Sequence, residues 1–174
     1  MMLHKPPGVV CTRNDRHGRR TVYDLLPARH GGLFHVGRLD LDSEGLLLLT
    51  NEGGVANTLL HPSYEADREY ELEVKGRVED AALRRLLDGV GLEDGPARAH
   101  AAELLDAGET SRLRLTLREG RKREVRRMLD AVGHPVLRLV RLRFGPVALG
   151  DLAAGAWRRL DTDEVRALRR HASS

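Results

Sequence analysis

Between Val36 and Thr50 the chain reads Val-Gly-Arg-Leu-Asp-Leu-Asp-Ser-Glu-Gly-Leu-Leu-Leu-Leu-Thr. Three carboxylates (Asp40, Asp42, Glu44) and one guanidinium (Arg38) stand directly before an unbroken leucine run, Leu46 to Leu49. The run is too short to span a membrane and has the length of a strand buried on both faces. A carboxylate fixed at the mouth of such a strand has rigid support and surroundings able to shift its ionisation, as acid–base or nucleophilic work requires. A polar turn that merely feeds a core strand has the same composition, so this stretch supplies candidates rather than a reaction.

Other chemistries find no support. The chain has no His-Glu-x-x-His, no phosphate loop ending in Gly-Lys-Ser/Thr, no Gly-x-Ser-x-Gly elbow and no dinucleotide glycine fingerprint. Its 8 histidines show no metal-ligand spacing, and the 1 cysteine, Cys11, excludes an internal disulfide and a cysteine metal cluster. Neither a metal nor a cofactor is expected. Carboxylate chemistry beside arginines remains. Aromatic residues make up only 3% of the chain, so its 3 tyrosines are singled out, Tyr70 among them.

At 174 residues and 41% hydrophobic, the chain suits one domain, or one domain of two lobes, spanning 1–174. The net charge of +3 is modest, but its distribution is uneven. Met1 to His30 and Arg118 to Arg127 are rich in Arg and Lys, whereas Asp88 to Glu109 is acidic. Such segregation suits one positive face and a polyanionic partner, though a salt-bridged surface would use the same residues. No signal-peptide apolar region or membrane-spanning run stands out, so the expected location is the cytoplasm.

The elements that must position these residues follow from patterning. Val9 to Thr12 reads as a short strand, Thr21 to Leu26 as a capped helix, and Leu33 to Gly37 as a strand leading into the carboxylate stretch. Val55 to Leu60 suits a short helix stopped by His61-Pro62. Arg68 to Lys75 alternates, placing Tyr70, Leu72 and Val74 on one face. Val78 to Leu87 reads as a helix, Gly89 to Pro96 as a loop, and Ala97 to Leu105 and Arg112 to Arg118 as strands joined near Gly108. Gly120 is expected to open a basic helix ended by Gly133, with backbone N–H groups and side chains suited to phosphate. Pro135 to Arg143 reads as a strand whose Arg138, Arg141 and Arg143 add to a positive patch. Asp161 and Glu164 have the spacing of a capping box.

Taken together, these segments resemble the RsuA/RluB/RluE/RluF family of ribosomal RNA pseudouridine synthases. Lys5-Pro6-Pro7-Gly8-Val9 resembles its opening motif, and Gly18-Arg19-Arg20-Thr21-Val22 with Leu25-Leu26-Pro27 its next block. Gly37 to Asn51 matches the signature that places the catalytic aspartate at Asp40. Arg68-Glu69-Tyr70 resembles a Lys-x-Tyr motif with Arg for Lys, and Glu119 to Met128 the Gly-Arg motif with Glu124 where many members have Gln. Cys11 to Asp15, His61-Pro62-Ser63, Leu92 to Pro96 and Arg123 to Arg127 fit the RluB branch in detail. Most members carry a small RNA-binding domain before the opening motif; here the chain starts close to that motif.

The resemblance implies an α+β fold: a mixed, mainly antiparallel central sheet with flanking helices and a basic RNA-binding cleft. It implies isomerisation of uridine to pseudouridine in large-subunit ribosomal RNA by a monomeric bacterial enzyme, with no membrane contact. The substrate is ribosomal RNA or a ribosomal-subunit assembly intermediate. Small-subunit RNA as the target, a non-catalytic RNA-binding module, and a two-carboxylate glycoside hydrolase are the alternatives. Within the resemblance Asp40 is the catalytic carboxylate, Arg126 its ion-pair partner with Arg121 the second choice, and Tyr70 the group that stacks on uracil. Arg38 occupies the space the base leaves or holds a flanking phosphate. Lys5, Arg121, Arg123 and Arg127 are the phosphate contacts, Leu139 an apolar wall of the uracil pocket, and Asp42 and Glu44 supports of the turn.

Overall fold

The computed structural model describes residues 1–61 and 66–171. In chain order the elements are strand β1 (Met2–Lys5), two short 3-10 turns (Val22–Leu25 and Ala28–His30), β2 (Phe34–Val36), β3 (Glu44–Thr50) and helix α1 (Gly53–Leu60). There follow β4 (Arg68–Lys75), α2 (Asp80–Asp88), β5 (Val90–Leu92), β6 (Gly95–Ala97), β7 (Ala101–Asp106) and β8 (Thr110–Leu117). The chain closes with α3 (Glu124–Ala131), β9 (Val136–Phe144), β10 (Val147–Ala148), β11 (Trp157–Arg158) and α4 (Thr162–His171). It divides into two compact units, Met1–Ala66 with Arg141–Ser174, and Asp67–Val140.

In the first unit the strand order is β11-β1-β3-β9, with β2 also on β3 and β10 on β9. The leucine run forms β3, and every residue from Gly45 to Leu49 is buried. A strand covered on both faces needs apolar side chains at every position rather than at alternate ones, which explains the unbroken run. β1 pairs antiparallel with it from Met2↔Leu48 to Lys5↔Gly45, and β2 from Phe34↔Thr50 to Val36↔Leu48. Leu47 and Leu49 pack with Leu3, Val9, Val22 and Leu39.

In the second unit the order is β9-β4-β8-β7. β4 and β8 pair antiparallel from Arg68↔Leu117 to Lys75↔Thr110. Their shared inner face carries Tyr70, Leu72, Val74, Leu113, Leu115 and Leu117, which pack under Val125, Met128 and Leu129 of α3 and Leu86 of α2. Burying each leucine contributes roughly 1.5–3 kcal/mol. The outer face is laced by exposed pairs such as Arg112–Glu71 at 2.8 Å, which settle strand register more than stability.

This is the α+β arrangement with a mainly antiparallel sheet and flanking helices that the sequence implies. Several boundaries differ. Val9 to Thr12 is not a strand; Val10 makes a single parallel bridge to Thr21. Thr21 opens a 3-10 turn, its N–H donating to Asp24 Oδ2 at 2.7 Å. Gly89 to Pro96 is no plain loop, because β5 and β6 form a hairpin through Glu93-Asp94. The basic helix begins at Glu124 rather than Gly120, behind Arg123, whose backbone is left-handed at φ 49°. Helix α1 ends at Leu60 as expected, whereas Pro62 and Ser63 lie outside the described residues. The capping box of α4 forms: Glu164 N–H donates to Asp161 Oδ1 at 2.8 Å, and Asp161 N–H to Glu164 Oε2 at 2.9 Å. Among the described residues no helix is long and apolar enough to cross a membrane.

Candidate active site

Asp40 lies in the connection between β2 and β3, where the chain leaves one strand of the first unit and turns back into its central one. Gly37, at φ +73°, makes the exit from β2, a conformation glycine adopts without steric cost. The tip is a tight turn in which Ser43 N–H donates to the Asp40 carbonyl at 3.1 Å. Leu39, one residue before, is buried and fixes the approach, its N–H donating to Cys11 Sγ at 3.4 Å. Gly8 N–H donates to the Leu41 carbonyl at 2.8 Å, so the opening motif braces the far side. Asp40 itself is half-buried, and Arg38, two residues earlier, is exposed.

Lys5 completes this brace. Its side chain is 0% exposed, and its ammonium donates to the Ser43 carbonyl at 2.7 Å, the Pro6 carbonyl at 3.0 Å and the Leu41 carbonyl at 3.5 Å. Burial pushes its pKa down, while Cys11 and the nearby Asp42, Asp40 and Glu44 act in the opposite direction. The expectation of a phosphate contact is therefore corrected: solvent does not reach Lys5, and its charge is spent on the carbonyls of the Asp40 turn. Burial pushes the Cys11 thiol up, so it packs as a neutral group.

Gly45, at φ +109°, enters β3 directly against Arg141; a Cβ there would overlap the Arg141 backbone. Arg141 is 3% exposed, its Nε donating to the Leu46 carbonyl at 2.8 Å and its guanidinium lying 5.6 Å from the Phe144 ring centre. Its assignment to a surface patch is corrected, since it is a buried brace of β3. Parity along β9 does not reveal this, because Leu137 and Arg143 share the parity of Arg141 and are exposed.

The second unit carries the other candidates. Tyr70 is buried on the apolar face of β4, in the same cluster as Leu139. Arg126 on α3 is 7% exposed, with Nη1 donating to the Val136 carbonyl at 3.2 Å. Arg68 is also buried; its Nη1 donates to the Arg118 carbonyl at 2.8 Å, and its guanidinium lies over Gly120. Arg123 is exposed at the start of α3.

Arg121 and Arg127 are drawn together by a residue that sequence reasoning passed over. Arg127 grips Asp94 with two bonds, Nη1 to Oδ1 at 2.8 Å and Nη2 to Oδ2 at 3.0 Å. Arg121 reaches the same Oδ1 at 3.4 Å, the Pro96 carbonyl at 2.5 Å and buried Glu124 at 3.2 Å. The Arg127 guanidinium holds the Asp94 carboxyl below the usual carboxylate range. The Asp94-Gly95 pair, a hairpin-turn signal, could have located both the β5–β6 hairpin and this acid.

A half-buried aspartate on a braced turn, with an exposed arginine two residues before it, is an arrangement suited to carboxylate chemistry. The profile of the RNA pseudouridylate synthase family matches residues 1–131, and the chain belongs to that family. It is 47% identical over 169 residues to the ribosomal large subunit pseudouridine synthase B of Pseudomonas aeruginosa, across 95% of this chain and 44% of that protein. It is 49% identical to an uncharacterized RNA pseudouridine synthase of Mycobacterium leprae, across 97% of this chain and 67% of that one. A crystal structure of a pseudouridylate synthase superposes with a TM-score of 0.85 at 32% identity, covering 96% of this chain and 72% of that one. The chain thus spans less than half the length of the Pseudomonas relative. The branch expected from the sequence is the one the Pseudomonas relative carries in its name.

Proposed function

We propose that this chain isomerises uridine to pseudouridine in large-subunit ribosomal RNA, with Asp40 as the catalytic carboxylate. The observation that carries the proposal is the braced turn. Lys5 and Gly8 donate to the Ser43 and Leu41 carbonyls on the far side of Asp40, and Leu39 N–H donates to Cys11 Sγ on the near side, so the turn that carries this one half-buried carboxylate is held in place. The large-subunit assignment rests on the relatives named large subunit pseudouridine synthase B.

The reaction breaks the N-glycosidic bond of a uridine, turns the uracil, and rejoins it through ring carbon 5 with loss of the proton there. Two routes use the same ionised aspartate: attack on the anomeric carbon, or removal of a proton from the neighbouring ribose carbon to give a glycal. Both need Asp40 charged while desolvated, which burial penalises and an arginine offsets. In this proposal Arg126 supplies that charge and Tyr70 stacks on the uracil, a contact worth about 1–3 kcal/mol against the few kcal/mol that unstacking the base costs. Arg38 holds the RNA where the base has left, with Arg123 on a flanking phosphate and Leu139 against the uracil. The partner is ribosomal RNA or a subunit assembly intermediate in the cytoplasm.

The test is release of tritium from ribosomal RNA labelled at uracil carbon 5, using RNA from cells that lack the modification. Wild-type protein releases it and Asp40→Asn does not, while both bind the RNA with similar affinity. Full release by Asp40→Asn would remove Asp40 from the mechanism, and binding without release by wild-type protein would favour a non-catalytic module.

A further inference from the structure

The segment Thr12 to Arg20, which runs into the second of the matched blocks at Gly18, takes no part in the mechanism above. In the structure it is a built loop. The Asp15 carboxylate accepts from the N–H groups of His17 at 3.1 Å and Arg19 at 2.7 Å, and pairs with the Arg19 guanidinium at 2.7 Å. Gly18, at φ +67°, makes the return. Arg13 anchors the loop's entry, donating to the carbonyls of Gly31 at 2.5 Å and Leu33 at 2.6 Å. Its guanidinium carbon stands 4.8 Å from the ring centre of Tyr23 and 5.3 Å from that of Phe34, so two cation–π contacts lock it.

The closed loop walls a cavity of about 320 Å³, floored by Val10 and Cys11 and bordered by Arg38. That volume lies at the lower end of the range for small-ligand sites, about 300–1,000 Å³. Asp15, the one acid on the wall, is neutralised by Arg19. The loop leaves Asn14 and Arg16 exposed on the cavity wall, neither side chain hydrogen-bonded among the described residues. The Asn14 amide offers a donor and an acceptor, and Arg16 a planar cation. Arg38 is also exposed and stands two residues from Asp40, a separation of at most about 7 Å along the chain. The cavity therefore borders the turn that carries Asp40.

We propose that this cavity is a nucleotide subsite: it takes the nucleotide flanking the target uridine, with its phosphate between Arg16 and Arg38 and its base edge on Asn14. The subsite rests on the isomerase reading. It is the part of the first unit that reads sequence, because a side-chain amide distinguishes base edges whereas phosphate contacts only position the strand. The apolar floor of Val10 and Cys11 suits a base face, and the anchored loop keeps the amide in place without the substrate having to order it.

The experiment begins by mapping the modified uridine in ribosomal RNA, then uses a short RNA hairpin that contains it. An abasic nucleotide is placed in turn at each position flanking the target. One such replacement lowers wild-type kcat/KM roughly ten-fold or more, as loss of a specific base contact does. Asn14→Ala lowers kcat/KM similarly on the intact hairpin and is insensitive to that same abasic replacement. Both variants, Asn14→Ala and Arg16→Ala, keep the wild-type thermal midpoint because neither side chain packs in the core. If the effects of Asn14→Ala and the abasic position multiply independently, or if Asn14→Ala changes nothing, the subsite is overturned. Failure of the isomerase reading gives a different signature. Wild-type protein then releases no tritium, and the subsite is judged on binding of a large-subunit RNA fragment. There Arg16→Ala lowers affinity and the log–log salt slope by about one unit. An unchanged slope overturns the subsite as well.

Discussion

Lys5 places a charge where water does not reach, and this settles what the residue is for. A lysine at an RNA-binding surface gives affinity; a lysine whose ammonium is shared among the Ser43, Pro6 and Leu41 carbonyls gives position. Lys5→Met keeps the length of the side chain and removes the donors. It leaves buried carbonyls unpaired, at about 1–3 kcal/mol each, partly offset by the relief of desolvating a cation. The expected outcome is a loss of stability of that order and a fall in kcat of roughly a hundred-fold, the scale of a misplaced reacting group. RNA affinity stays within a factor of two. Filter binding beside single-turnover tritium release separates the roles: weakened binding with intact kcat would return Lys5 to the phosphate. The pH dependence has a definite sign. Lys5 has its pKa lowered by burial, so between that depressed value and the ordinary lysine range the unfolded chain binds the extra proton. Wild-type protein therefore gains stability relative to Lys5→Met as the pH rises through that window.

At the scale of elements, patterning announced most of what is built. The alternation from Arg68 to Lys75 and the leucine run each became the strand they spell. In both cases one burial environment acts along the whole element, so side-chain type reports it directly. Asp40 was legible as a candidate for the same reason, since it stands where a covered strand begins. What stayed hidden depends on partners far apart in sequence. Nothing near Lys5 says that Ser43 will accept from it, and Arg141 looks like any surface arginine until Gly45 and Leu46 lie against it. The start of α3 was misplaced because Gly120 suggested a helix opening, whereas the left-handed residue before the helix is Arg123. A non-glycine residue in that conformation costs about 1–2 kcal/mol and persists where the side chain is wanted. Arg123→Gly is therefore expected to keep or raise stability, by up to about 1 kcal/mol, while weakening RNA binding. Urea unfolding and RNA titration of the same preparation check the pair. A loss of stability with unchanged binding would show that Arg123 serves packing alone.

Across the whole molecule the net charge is only +3, yet its sequence pI is about 9.4 and the proposed partner is a polyanion. Much of the positive charge is already paired. In the second unit Asp94, at the turn of the β5–β6 hairpin, engages both Arg121 and Arg127 from a position where its own side chain is half exposed. A phosphate offers those guanidiniums the same planar, bidentate contact as a carboxylate. RNA binding to them must therefore displace Asp94, and the acid sets how much of the cationic surface the RNA can use. Asp94→Asn removes that competition and raises the net charge by one. The expected outcome is tighter binding of a large-subunit RNA fragment at low salt and a steeper salt dependence. Each newly recruited phosphate adds about 0.7 to the slope of log affinity against log salt for a single strand. Two guanidiniums set the limit at roughly 1.4, measured between 50 and 200 mM salt. The variant should also lose part of the acid sensitivity of folding. The Asp94 carboxyl is held below its usual range chiefly by Arg127, so its contribution is full above the ordinary aspartate range and disappears as the pH falls through the depressed value. Weaker binding with an unchanged slope would reverse the assignment, making Asp94 the group that orients Arg121 and Arg127 toward the RNA rather than the one that occupies them.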